Sequence, residues 1–141
     1  MKKLFFLFII FLYSVVVHAD WTVQSTGNPN NLTSVFFVNS NVGWAVGSAG
    51  TILKTTNSGL NWFQQYAGFT TNDIESVFFI DINTGWIVGT SGLIYKTTNG
   101  GINWVQQSSG TTNAIMSVFF TDVNNGWAVG NGGLVFNTTN G

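Results

Sequence analysis

Apolar and polar residues alternate along this chain in short runs, and the runs are written out three times. In the middle copy Ile74, Ser76 and Phe78 oppose Glu75, Val77 and Phe79, and by Phe79-Ile80 both sides are apolar. A segment of that kind reads as a strand that becomes buried on both faces at its end. Asp81-Ile82-Asn83-Thr84 closes it. Asn and Asp suit such a turn because their side chains bond nearby amides and tolerate left-handed backbone. Gly85-Trp86-Ile87-Val88-Gly89 follows as a second strand bounded by glycines, Leu93 to Thr97 as a third, and Asn103 to Gln107 as a fourth. Helices have little support, since no 3.6-residue period is sustained and β-branched, aromatic and glycine residues dominate.

The copies keep nearly fixed offsets. Trp44, Trp86 and Trp127 stand 42 and 41 residues apart, and Trp21, Trp62 and Trp104 stand 41 and 42 apart. A period near forty with strand-like segments is the signature of propeller blades. The expected fold is all-β, a partial β-propeller of about three four-stranded antiparallel blades over residues 32–66, 74–108 and 115–141. Trp21-Thr22-Val23-Gln24 alternates as well and is expected to be an outer strand. Three blades fall below the four to eight of typical propellers. The repeats are therefore either part of a larger propeller, the preferred reading, or half of an oligomeric one. In the second case two copies form six blades, each giving residues 21–24 to the open edge of the other.

The first residues follow different rules. Met1-Lys2-Lys3 is a basic head, Leu4 to Val17 is apolar except for Ser14, and Val17 and Ala19 are small residues placed for cleavage. This is the anatomy of a secretory signal peptide over residues 1–19, and it implies a periplasmic or extracellular product that is not membrane-embedded after cleavage. The apolar run is short of the roughly 20 residues that span a bilayer.

From Asp20 onward the cations are Lys54 and Lys96, set against Asp20, Asp73, Glu75, Asp81 and Asp122, and arginine, histidine and cysteine do not occur. Nucleic acid is not an expected partner, because neutralising phosphates takes clustered Lys or Arg. Without cysteine no disulfide or thiolate metal site can form. With only 6% charged residues the surface must be built from Asn, Thr, Ser, Gln and Gly, a surface that a partner would help to keep in solution.

The turn after each third strand carries a motif. Thr55-Thr56-Asn57-Ser58-Gly59-Leu60-Asn61-Trp62 and Thr97-Thr98-Asn99-Gly100-Gly101-Ile102-Asn103-Trp104 resemble the Asp-box, or bacterial neuraminidase repeat, and Thr138-Thr139-Asn140-Gly141 resembles its start. Asn57, Asn99 and Asn140 stand where that family usually has aspartate. With the Ser-Val-x-Phe and Gly-Trp-x-Val-Gly segments, the chain is most similar to the repeats of the photosystem II stability and assembly factor family. The resemblance implies a propeller that binds protein. The family's basic, arginine-bearing contact surface has no counterpart here, since arginine is missing.

The box residues Asn57, Gly59, Trp62, Asn99, Gly101, Trp104 and Asn140 are read as structural. Asn accepts turn amides, Gly supplies positive φ, and Trp packs between blades. At 150–250 Å² per ring, such packing is worth roughly 4–6 kcal/mol as an upper bound. An Asp-box glycan binder or a sialidase-like glycoside hydrolase fragment is the alternative, yet glycoside cleavage takes two positioned carboxyls. Sialidases in addition hold their substrate with arginines. A Ser or Thr nucleophile would need a base, and histidine does not occur after residue 18. The expectation is thus a non-enzymatic interaction or scaffold module with no catalytic residue and no cofactor. Its protein contact surface is expected on the loops bearing Tyr66, Phe69, Asn72, Asp73 and Glu75, flanked by Ser48, Ala49, Ser91, Asn131 and Gly132. Asp81-Ile82-Asn83 and Asp122-Val123-Asn124 offer too few oxygens for calcium, which takes six to eight. Calorimetric titration of chelator-treated protein with calcium is expected to give no saturable heat.

Overall fold

The computed structural model describes residues 20–66, 68 and 71–141, so residues 1–19, where a signal peptide is expected, and Phe69 lie outside the described residues. Among the described residues eleven strands form three antiparallel sheets. The first holds β1 (Leu32–Phe37), β2 (Gly43–Gly47), β3 (Thr51–Thr55) and β4 (Phe63–Gln64) in sequence order. The second repeats this with β5 (Ile74–Phe79), β6 (Gly85–Gly89), β7 (Leu93–Thr97) and β8 (Val105–Gln106). The third has β9 (Ile115–Phe120), β10 (Gly126–Gly130) and β11 (Leu134–Thr138). These are propeller blades, and their innermost strands β1, β5 and β9 pack side by side.

One expected strand is not formed. Trp21–Gln24 belongs to no sheet among the described residues, and Trp21 and Val23 are fully exposed. Alternation supplies a strand-like sequence, but a strand also needs a neighbour for its amides, and β3 already pairs with β2 and β4. The outer strands β4 and β8 are also shorter than the alternation implied, at two residues each.

Blades are joined by aromatic stacking. Trp44, fully buried in β2, lies flat on Phe79 of the next blade, with centroids 3.5 Å apart and planes 6° from parallel. Trp86 lies on Phe120 in the same way, at 3.6 Å and 11°. Around these rings the seams fill with Val46, Ile52, Ile74, Val77 and Ile87 on one side of the middle blade, and with Val88, Ile115, Val118 and Ala128 on the other. The glycine preceding each tryptophan is a packing requirement, because a Cβ on Gly85 would come within 2.5 Å of the Phe79 ring. Phe79 therefore covers Gly85 in its own blade while it receives Trp44 from the blade before.

Lysine completes each seam. The Lys54 ammonium sits 4.9 Å from the Trp44 ring centroid and donates to the Gly100 carbonyl at 3.0 Å. Lys96 stands 5.1 Å from the Trp86 ring and donates to Gly141. Burial pushes the Lys54 pKa below its ordinary value; the carbonyl and the ring face satisfy the cation that remains.

The turns behind the first hairpins are Asx turns. Asp81 Oδ1 accepts the amides of Asn83 and Thr84 at 2.7 Å, and Asp122 Oδ1 accepts those of Asn124 and Asn125. At Asp81 partial burial works against the charge, but the Thr84 and Asn83 donors outweigh it and hold the carboxyl below its usual range. The Asn125 side chain and the same two amides do so at Asp122.

Two outcomes follow from this packing. Trp86→Ala is expected to cost about 3–5 kcal/mol, the usual toll for deleting a buried indole, seen as a drop of more than roughly ten degrees in circular-dichroism melting. Asp81→Ala is expected to cost only about 0.5 kcal/mol at neutral pH, because solvent screens the carboxylate. Since the folded pKa is depressed, that contribution is present above the unfolded value near 3.9 and is lost as pH falls through the folded one. Denaturant titrations of the parent protein and Asp81→Ala should therefore converge in acid.

Candidate functional site

Three surfaces present themselves, and the loop face bearing Tyr66 is the first. Tyr66 is exposed at the end of the first blade. Asn72 and Asp73 lead into β5 and also bind the preceding blade. The Asn72 carbonyl accepts the Gly50 amide, and Asp73 Oδ1 accepts the Ala49 amide, both at 2.9 Å. The Asp73 carbonyl takes the Thr90 amide of its own blade. Asp73 is thus a tie between the 3-10 turns Ser48–Gly50 and Thr90–Gly92. Glu75 is half-buried within β5. The structure brings Asn72 and Asp73 together at a blade seam, with Tyr66 exposed at the end of the preceding blade. Between the second and third blades the same face opens into a shallow polar depression of about 550 Å³, bordered by Ser91, Gln106, Ser108 and Thr112.

The box turns form the second surface. Thr55 Oγ1 donates to Asn57 Oδ1 and receives the Gly59 amide, each at 3.0 Å, while Asn57 Oδ1 accepts the Asn61 amide at 2.9 Å. Thr97, Asn99, Gly101 and Asn103 repeat the set, and Thr138 donates to Asn140 Oδ1. Gly59 and Gly101 have φ of 83° and 89°, a region that glycine enters without penalty. Trp104 is buried edge-on against Phe79 at 6.1 Å, whereas Trp62 is half-buried against Phe37 at 5.9 Å. The oxygens of these asparagines are occupied by their own turns.

Sequence reasoning passed over the glutamines. Gln65 Oε1 lies against Gly101 of the next box, and Gln24 Oε1 lies against Gly59 in the same manner. Gln107 donates through Nε2 to Gly141 at 2.9 Å. Their recurrence three residues after Trp21, Trp62 and Trp104 was the available signal.

The third surface is a cleft of about 520 Å³ on the last blade, lined by Trp86, Phe120, Trp127, Phe136, Asn140 and Gly141 among others. The Trp86 indole N–H is buried there without an acceptor. No group of three or more His, Cys, Asp or Glu side chains placed to hold a metal occurs among the described residues, and no described helix is long and apolar enough to cross a membrane.

Among solved structures, YCF48 bound to D1 peptide superposes with a TM-score of 0.74 at 22% identity, over 86% of this chain and 42% of that one. YCF48 from Cyanidioschyzon merolae gives 0.76 at 23% identity, over 87% and 41%. The GH74 enzyme of Niastella koreensis gives 0.57 at 22% identity, over 70% of this chain and 18% of its own. These likenesses establish the propeller fold, and the chain spans about two fifths of the length of the YCF48 structures it matches. No curated protein matches it. The family model described as photosynthesis system II assembly factor YCF48 matches residues 13–109, more than half of the sequence with the first two Gly-Trp strands and both complete boxes, and the chain belongs to that family.

Proposed function

We propose that this chain is a non-enzymatic, exported propeller module that binds protein, and that it takes an extended peptide segment across the loop face bearing Tyr66 and Asn72, with Phe69, between them in sequence, as a further contact. The observation that carries this reading is family membership together with a face of polar loops and an exposed aromatic on a rigid sheet scaffold. Binding residues borne on loops above such a scaffold are the common arrangement. A YCF48 relative of the same fold is described as bound to D1 peptide, and a peptide segment of a protein is the class of partner this reading gives the chain.

The chemistry of the face favours binding over turnover. Asp73 spends one carboxylate oxygen on the Ala49 amide, and Glu75 lies two residues along the chain in β5. A pair of carboxyls flanking a glycosidic oxygen is not the arrangement this makes. Export rests on the basic head and apolar run of residues 1–19. The mature protein is expected to begin at Asp20, which intact-mass measurement of secreted material checks.

Fluorescence anisotropy with a labelled D1-derived peptide tests the binding. Saturable binding is expected, reduced at least tenfold in the double variant Tyr66→Ser, Phe69→Ser while the melting curve stays unchanged. No binding by the folded parent protein would reject this partner class. Since Tyr66 is exposed, loss of folding in the variant would reject a purely surface role for Phe69.

A further inference from the structure

Glu75 breaks a pattern that the first blade sets. There the same place holds Thr33, the extra residue of a bulge between the pairs Leu32 with Gly47 and Ser34 with Val46. The Thr33 hydroxyl reaches two carbonyls, that of Val46 in its own blade and that of Ile74 in the next. Glu75 is the extra residue of the same bulge in the middle blade, between the pairs Ile74 with Gly89 and Ser76 with Val88. Since β9 packs beside β5 as β5 packs beside β1, the corresponding carbonyls are those of Val88 and Ile115. Threonine gives such oxygens a proton, whereas an ionised carboxylate brings only more acceptors. Glu75 is thus a half-buried carboxylate among carbonyl oxygens, and no donor or cation meets it among the described residues.

The charge around it has one sign. Asp73, two residues earlier, commits Oδ1 to the Ala49 amide and keeps its second oxygen for another donor. The turns and loops of that face, residues 48–50, 65–73, 90–92 and 107–114, contain no Lys or Arg. Lys54 and Lys96 stand at the opposite ends of the blades, bonded to the Gly100 and Gly141 carbonyls of the box turns. Removing a carboxylate from water among acceptors is costly unless a cation supplies the missing donors. An ammonium with three donors, or a guanidinium with five, satisfies the carboxylate and both carbonyls together. The exposed Tyr66 ring on the same face is a second group that attracts cations. An acidic segment meets repulsion at each charged group of the face.

We propose that the loop face selects a basic peptide segment, one Lys or Arg side chain of which seats on the Glu75 carboxylate and the Val88 and Ile115 carbonyls, with Asp73 adding to the attraction. This rests on the reading that the loop face binds peptide, and it names the charge of the segment taken. The seat lies inside the repeats, on a strand flanked by β1 on one side and β9 on the other.

Fluorescence anisotropy of the full chain with three versions of the labelled D1-derived peptide tests this: the peptide itself, one with two neutral residues replaced by Lys, and one with the same two replaced by Glu. The Lys version is expected to bind about tenfold or more tightly than the Glu version, as a charge-assisted hydrogen bond supplies, with the difference shrinking at high salt. Glu75→Gln keeps the shape of the side chain and should remove most of that preference. Glu75→Thr copies the first blade, and should remove it while raising the melting temperature, because the hydroxyl again serves the carbonyls. Asp73→Asn retains an acceptor for the Ala49 amide and should remove a smaller share. Equal binding of the Lys and Glu versions, or tighter binding of the Glu version, would overturn the proposal and leave peptide binding itself standing. A Lys preference that survives in folded Glu75→Gln and Glu75→Thr would overturn the seat assigned to Glu75. Binding of none of the three peptides would reject this inference together with the reading on which it rests.

Discussion

The stability of this molecule depends on an indole of one blade lying flat on a phenyl ring of the next. Trp44 on Phe79 and Trp86 on Phe120 are the only fully planar stacks at the two seams among the described residues, and most of the rest of each blade is arranged to permit them. The glycine before each tryptophan clears space for the phenyl ring, and the lysine opposite it on the third strand holds a cation near the indole while reaching a carbonyl of the next box. In a chain with 6% charged residues and no cysteine, the seam replaces what ion pairs or disulfides supply elsewhere.

Polar side chains hold what the rings cannot. The box asparagines keep the turns closed by bonding their own backbone. The Asx turns at Asn39, Asp81 and Asp122 face the same turns through single amide bonds, such as Gly100 to Asn83. A carboxamide does the work of the family's aspartate because the turn asks only for an acceptor, and a neutral acceptor suits a surface with little charge. These groups consequently have little left for a ligand.

Much of the fold was legible in the sequence because each blade repeats the same periodicity at the same offsets, and local pattern and tertiary pairing agree. The four-strand order follows from turn chemistry alone. What was not legible was tertiary in origin. Trp21–Gln24 has the alternation of a strand, but its pairing partner cannot be read from its own residues. Trp62 and Trp104 occupy equivalent places in their boxes, yet one is half-buried and the other buried, because only Trp104 meets a seam already packed by Trp44 and Phe79. At the loop face, sequence gave residue types but not engagement. Asp73 looked like an exposed acid and proved to be bonded to the turn of its neighbour.

The glutamine that crosses from each outer strand to the following box has a consequence for how the molecule comes apart. Every blade is held on one side by its own ladder and on the other by a neighbour's side chain, so stability propagates as a line of adjacent couplings rather than from a single centre. Among the described residues the middle blade is packed on both sides, against β1 and β2 on one and β9 on the other. Its strand β6, buried along its whole length, should accordingly exchange its amides slowest.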